Sequence, residues 1–315
     1  MSFLVNTNVT ALQAENNLSV NSTNEDNDIS HLSSGLRINS AADDPAGLVI
    51  SNSLAAQNAG LTQATQNTNN AINVVKTADS ALSTVSSLLT NIRSLVLDAA
   101  NTGANDTSAS QADAEAIRQA VNSIDRIATT TSFNGVNLLQ GSGGTATGSS
   151  TTLTFQVGAN GGQTVQVGIN DSRSSNLGNV TSASNYTGAD GSTTSFSSAY
   201  SLGSLGGTTP ALDIAGGDAQ GDNAQQALAI VDAAINQVST EQADLGAVQS
   251  NELQTNVQSL ATAQTNTASS LSSIQDVDLA STIVDYTKNQ ILVSAGTSAL
   301  SYANQAPQSV LKLLQ

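Results

Sequence analysis

The chain is 315 residues long, enough for two or three domains, yet only 10% of its residues are charged and 3% aromatic, against a globular norm of roughly 25% charged. A net charge of −16 opposes binding to phosphate backbones, because like charges repel and no counterions are released in compensation. Cysteine is absent, which removes disulfide and thiol chemistry, and a single histidine, His31, removes two-histidine zinc sites of the HExxH kind.

The acid excess sits at both ends: residues 1–45 hold six acids and one base, and residues 221–315 hold eight acids and two bases. Salt would have to screen these ends before copies could approach closely. No basic segment followed by a short apolar stretch opens the chain, and no run approaches the roughly 18 apolar residues of a membrane span, so neither a secretory signal peptide nor membrane insertion is expected. Ser, Thr, Asn, Gln and Ala dominate. Such a chain buries small side chains between helices, at roughly 25 cal/mol per Å² of apolar area, and a partner surface must supply the remaining stabilisation.

In chain order, Leu4, Ala11 and Leu18 recur every seven residues and are followed by Ile29, Leu32 and Leu36, a broken heptad stripe on a polar helix. The acidic run Asn21–Asp28 speaks against one continuous helix there. Asp44-Pro45 predicts a helix start, with the carboxylate accepting from unpaired N–H groups and proline placed where a missing N–H costs nothing. Ile72, Val75, Ala78, Leu82, Val85, Leu89, Ile92, Val96 and Ala99 alternate steps of three and four, a coiled-coil seam. Ile117, Val121, Ile124 and Ala128 predict a second helix, capped at Ser110.

The middle changes period. Leu153, Phe155 and Val157 alternate with polar residues, as do Val165, Val167 and Ile169, across Asn160-Gly161-Gly162, which predicts a β-hairpin. Residues 141–150 and 181–220 are rich in Gly, Ser and Thr and read as loops with at most a few short strands. The latter segment is too short for an independent domain. Helical spacing returns at Leu228, Val231, Ile235 and Val238 and continues through Leu253, Val257, Leu260, Gln264, Thr267, Leu271 and Ile274, predicting one long helix over 222–275. A last helix follows from Leu279, Ile283 and Tyr286, with Pro307 expected to interrupt it.

The fold class is therefore mainly α, a long coiled-coil-like bundle built from both chain ends with a small β-hairpin region in the middle. The expected divisions are 1–44, 45–180, 181–220, 221–275 and 276–315: an N-terminal helix, a bundle domain in two halves around a short variable segment, and a C-terminal helix. No catalytic or cofactor-binding residues are expected. Helix capping accounts for the adjacent Asp43 and Asp44, a lone histidine on a polar helix is a poor general base, and the glycine-rich stretch Gly141-Ser-Gly-Gly144 lacks the Lys-Ser/Thr of a phosphate loop.

Three motifs carry a resemblance. Leu32–Gly47 reads LSSGLRINSAADDPAG, Ser132–Val136 reads SFNGV, and Tyr286–Leu314 begins YTKNQILVSAGTSALSYANQAPQ. Together they resemble bacterial flagellin over residues 1–170 and 220–315. The resemblance implies an extracellular, self-assembling filament subunit, exported unfolded through the flagellum's own channel, whose ends order on assembly. It implies as partners further copies of the chain, the export apparatus and its chaperone, and the filament cap and junction proteins. Filament assembly would then use the apolar residues of both ends: Leu4, Ala11, Leu18, Ile29, Leu32, Leu36, Leu279, Ile283, Tyr286, Ile291, Leu300, Val310, Leu311, Leu313 and Leu314.

Two further sites follow from the resemblance alone. Flagellins that activate the vertebrate flagellin-sensing Toll-like receptor resemble LQRVREL in their first long bundle helix, where this chain reads Leu89-Thr90-Asn91-Ile92-Arg93-Ser94-Leu95, so Asn91, Arg93 and Leu95 are candidate receptor contacts. Ser184, Thr187, Ser192, Thr193 and Ser195 are candidates for O-linked sugars. A hook–filament junction protein, and a secreted receptor-binding or adhesive protein on the same scaffold, are the alternative readings.

Overall fold

The computed structural model describes residues 8–101, 106–141, 150–180, 185–187, 193–195, 200–205 and 222–313, with backbone alone at 107, 185–187, 193–195, 222–223 and 306–313. By contacts the chain divides into two units, Met1–Ala59 with Ala263–Gln315, and Gly60–Thr262. Both boundaries fall within long helices, whereas the sequence pattern places divisions at the helix junctions 44/45 and 275/276.

The first unit is built on the helix α1 (Val9–Ser34) and on α7 (Leu279–Leu313), which pack against each other. The pairing is antiparallel: Asn8 reaches Ala303, Leu18 lies against Gly296, and Asp28 bonds Asn289. The acidic run 21–28 does not break α1, contrary to the sequence expectation. Asn21, Glu25 and Asp28 continue the three-and-four spacing of Ala11, Ala14 and Leu18 and are half-buried like Ala14 and Leu18, so polar side chains occupy seam positions. One of them, Asp28, accepts from Asn289 Nδ2 at 2.8 Å, which satisfies a carboxylate that would otherwise oppose burial. Pro307 does not interrupt α7 either. The carbonyl it leaves without an intrahelical donor, Ala303 O, receives Asn8 Nδ2 at 2.7 Å.

A compact turn links α1 to α2 (Pro45–Ala99). Gly35, at φ +72°, closes α1 by donating its N–H to His31 O at 2.9 Å. His31 Nδ1 lies 3.0 Å from Leu36 O, and since a carbonyl only accepts, that nitrogen carries the proton. Asp43 accepts from the Ser40 and Asn39 N–H groups at 2.8 and 3.0 Å. Those bonds hold its carboxyl below the usual range. Asp44 Oδ1 caps α2 by accepting from Ala46 N and Gly47 N at 3.1 and 2.9 Å, as the sequence predicts. Ile38 is buried beside Gly47, where a Cβ would lie 2.6 Å from Ile38 Cδ1. The turn is also stitched to the end of α6 (Thr255–Gln275): Arg37 N donates to Gln275 O, and Val277 N donates to Gly35 O.

The second unit holds the main core. The predicted seam of α2 is buried from Val75 to Val96, and it meets Ile117, Val121 and Ile124 of α3 (Thr107–Thr130) and Val231 and Val238 of α5 (Asp222–Ala247). The cap of α3 is Asp106, whose Oδ1 accepts from Ala109 N at 2.8 Å. Ser110 sits inside the helix. A carboxylate at the helix N-terminus also favours the macrodipole, which a serine cannot do as strongly.

Beyond α3 the SFNGV run forms a tight hairpin of β1 (Ser132–Phe133) and β2 (Val136–Asn137), with Asn134 and Gly135 both at positive φ as a two-residue primed turn requires. The predicted larger hairpin is β3 (Ser150–Gln156) with β4 (Thr164–Asn170), in the register Leu153 opposite Val167 and Phe155 opposite Val165. A third hairpin joins β5 (Asn185–Thr187) to β6 (Thr193–Ser195), and a buried turn of helix, α4 (Leu202–Leu205), follows.

The long helix predicted over 222–275 is helical throughout, but it is not uniformly α. Val248–Gln254 is π-helical. The buried positions explain what this segment accomplishes: Val231, Val238 and Leu245 are seven apart, Leu253 and Leu260 are seven apart, and Leu245 to Leu253 is eight. A π turn accommodates the extra residue and returns the apolar stripe to the same face.

Candidate assembly surface

The apolar side chains of the paired terminal helices fall into two groups. Along the seam, Ala11 is buried and Leu18 and Leu32 are half-buried on α1, while Tyr286, Val293 and Leu300 are half-buried on α7. The heptad Ala11–Leu18 that the sequence marks for assembly therefore lies at the contact between these two helices of one chain. Leu36 is half-buried in the turn, and Ile29, Leu279, Ile283 and Ile291 are exposed. Leu4 and Leu314 lie outside the described residues, as do the side chains of Val310, Leu311 and Leu313.

The second group points away from the seam. Val9, Leu12 and Val20 on α1 and Val284, Ile291 and Tyr302 on α7 are each more than half exposed. Their spacing explains the common direction. Val9 and Val20 are eleven residues apart, as are Ile291 and Tyr302, and eleven residues make about three turns. Both stripes therefore lie on the sides of α1 and α7 opposite their mutual seam. Of these six residues only Ile291 was marked by the sequence, because the heptad rule follows the seam. The eleven-residue interval is the signal that would have found Val9, Val20 and Tyr302.

Among the described residues, all strongly exposed large apolar side chains except Leu97 and Val136 belong to the first unit. The second unit is closed by polar contacts instead. Glu241, buried on α5, accepts from Asn170 N at 3.1 Å and Asn170 Nδ2 at 2.5 Å, which ties the end of β4 to α5. Asp125 accepts from Ser174 N and Ser174 Oγ, both at 2.7 Å, and buried Asp171 pairs with Arg173. That pairing raises the Arg173 guanidinium further above its ordinary range.

In the receptor-like motif, Leu89 and Ile92 are core residues, Leu95 is half-buried, and Asn91, Arg93 and Ser94 are exposed. Arg93 Nε donates to Asp232 Oδ1 at 2.7 Å. Ser184 and Ser192 lie outside the described residues, and Thr187, Thr193 and Ser195 stand on β5 and β6 with only their backbone described.

Nothing in this arrangement gathers reacting groups. Among the described residues no cluster of three or more His, Asp or Glu could hold a metal ion, and no helix is long and apolar enough to cross a membrane. A depression of about 550 Å³ lined by Val74, Phe133, Val136, Leu138, Leu153 and Phe155, with Asn70 and Asn134 at its edge, contains no titratable side chain.

Comparison with known proteins gives matches at both ends of the chain. Residues 5–143 match the family model of the bacterial flagellin N-terminal helical region, and residues 228–314 match that of the C-terminal helical region. The chain is similar to flagellin from Bacillus subtilis (strain 168), 39% identical and covering 99% of both chains. It is similar at 35% identity to the flagellar filament 33 kDa core protein of Treponema phagedenis, covering 99% of this chain and 100% of that one. Flagellin A of Vibrio cholerae is 32% identical over the full length of both.

Proposed function

The chain belongs to the bacterial flagellin family, and from that membership we propose that its outward apolar stripes are the surfaces through which it builds the filament. It is a structural subunit that assembles with copies of itself into the extracellular flagellar filament, and it catalyses no reaction. The observation that carries the surface assignment is the concentration of exposed Val, Leu, Ile and Tyr on α1 and α7, opposite a seam that already joins them. Covering a Val, Leu or Ile side chain completely contributes about 1.5–3 kcal/mol relative to leaving it in water. Several such residues on each helix supply a driving force that a single copy cannot realise.

A stripe on one copy meets a different surface on the next, which makes the contact heterologous and the assembly open-ended. Pairing of α1 with α7 inside each copy sets which sides remain for neighbours. The export apparatus, its chaperone, and the cap and junction proteins are the further partners of this reading, each meeting the same helical ends before or after polymerisation. Host recognition by the flagellin-sensing Toll-like receptor is expected at Asn91, Arg93 and Leu95, weakened by the Arg93–Asp232 pair and by the uncharged Asn91 and Ser94.

Replacing Val284 and Ile291 together by Asp tests the assignment, since both lie on the outward side of α7. Purified wild-type protein is expected to form filaments in the electron microscope, whereas the double variant stays monomeric with unchanged helical circular dichroism. Filaments of ordinary length from the variant would refute the surface assignment.

A further inference from the structure

Asn8 makes two sets of bonds at once. Its Oδ1 caps α1, accepting from Ala11 N at 3.1 Å and from Thr10 Oγ1 at 2.7 Å. This fixes which end of the amide faces the helix, because only the oxygen can accept there. The Nδ2 is thereby turned outward, and it donates to Ala303 O at 2.7 Å, across 295 positions of sequence. Ala303 stands four residues before Pro307 within α7. In an α-helix that carbonyl would receive the N–H of residue 307, and proline has none. The acceptor that Asn8 finds is thus a carbonyl that the sequence itself has released.

We propose that Asn8 and Pro307 together form a register lock for the terminal helix pair, with proline serving to free one carbonyl at the position where the Asn8 amide arrives. The rest of the seam carries few directional contacts: Leu18, Tyr286, Val293 and Leu300 supply apolar burial, which is non-directional, and among the described residues the Asp28–Asn289 bond near the other end is a further polar contact between the two helices. Sliding one helix past the other by a turn moves it about 5.4 Å, which breaks the Asn8 bond and leaves Ala303 O unpaired. Neighbouring carbonyls offer no equal substitute, since each is already engaged within the helix. The lock fixes how the stripe of α1 is phased against the stripe of α7. Its consequence for assembly rests on the reading above.

Asn8→Asp separates the two tasks of the residue. Aspartate retains the capping oxygen but faces Ala303 O with a second acceptor, so the cap survives and the lock does not. Pro307→Ala restores the N–H to α7 and gives Ala303 O an internal donor, which makes Asn8 dispensable. Amide hydrogen exchange of the full-length protein in assembled filaments, followed by mass spectrometry over residues 9–20 and 297–306, reads the cycle. Asn8→Asp is expected to speed exchange in both segments about three- to tenfold, the equivalent of one net hydrogen bond, and the effect is expected to fall below about twofold in the Pro307→Ala background. The critical concentration for filament growth should follow the same pattern, rising with Asn8→Asp and returning in the double variant. Equal exchange in wild type and Asn8→Asp overturns the lock, and so does an Asn8→Asp effect that is undiminished by Pro307→Ala. Failure of the wild type to polymerise would count against the assembly reading, and the same exchange comparison on the protein as purified would then decide the lock, so the two failures are distinguishable.

Discussion

Gly47 offers a test in which two physical rules disagree in sign. It lies in the first turn of α2, where replacing Gly by Ala ordinarily stabilises a helix by about 0.5–1 kcal/mol through reduced backbone entropy. The structure opposes that gain. A Cβ at position 47 would stand 2.3 Å from Asp44 Oδ2, 2.8 Å from Asp44 Cγ and 2.6 Å from Ile38 Cδ1. Neither neighbour moves without loss, since Asp44 caps α2 through two backbone N–H groups and Ile38 is 3% exposed. Overpacking costs about 1–3 kcal/mol, and losing the cap costs about 1 kcal/mol. Setting these against the entropic gain leaves Gly47→Ala destabilised by about 1–3 kcal/mol, felt in the turn between α1 and α2. Gly246→Ala is the control, because a Cβ there meets nothing within 4 Å and should stabilise α5 by up to about 1 kcal/mol. Urea unfolding, with hydrogen exchange over residues 37–50 and 236–247 to localise each effect, measures both. If Gly47→Ala proves as stable as wild type, the close approach is not a constraint and the steric account of this motif is wrong.

Glu241→Ala removes the buried carboxylate that accepts from Asn170 N and Asn170 Nδ2, and since hydrogen bonds to a charged group contribute about 1.5–3 kcal/mol a loss of about 1–3 kcal/mol in urea unfolding is expected; a loss below about 0.5 kcal/mol would contradict it. Asp113 titrates above its ordinary range because burial, and then the nearby Asp98, disfavour its charge. Its folded pKa therefore exceeds its unfolded one, so wild type gains stability as pH falls through the folded value toward the ordinary one. Asp113→Asn should melt at a higher temperature than wild type at neutral pH, with the difference vanishing in acid, and a pH-independent difference would show that the charge is not the cause. Asn91→Arg with Ser94→Glu restores the receptor-like motif, and a cell reporter for the flagellin-sensing Toll-like receptor should respond more strongly to the double variant. An unchanged response would mean that these positions do not limit recognition.

The helices of the main core were legible from the residues alone because helical periodicity is a local property: the seam Val75–Val96 and the stripe Ile117–Ala128 are buried as their spacing requires. Turn chemistry was legible for the same reason. Asp44-Pro45 and the alternating strands of β3 and β4 each depend on neighbours within a few positions. What the tertiary structure alone decided involves partners that are distant in sequence. The acidic run 21–28 stays helical where α7 lies alongside and Asn289 meets Asp28. Pro307 is tolerated where Asn8 takes up the carbonyl it releases. The π segment follows from an eight-residue interval that matters only once Leu245 and Leu253 must face one core. The heptad of α1 has the same character: its spacing shows that a partner is needed, but not that α7 of the same chain fills that place. That pairing leaves Val9, Val20, Val284, Ile291 and Tyr302 facing outward, because a helix side is free for another copy only after its own chain has used the opposite one.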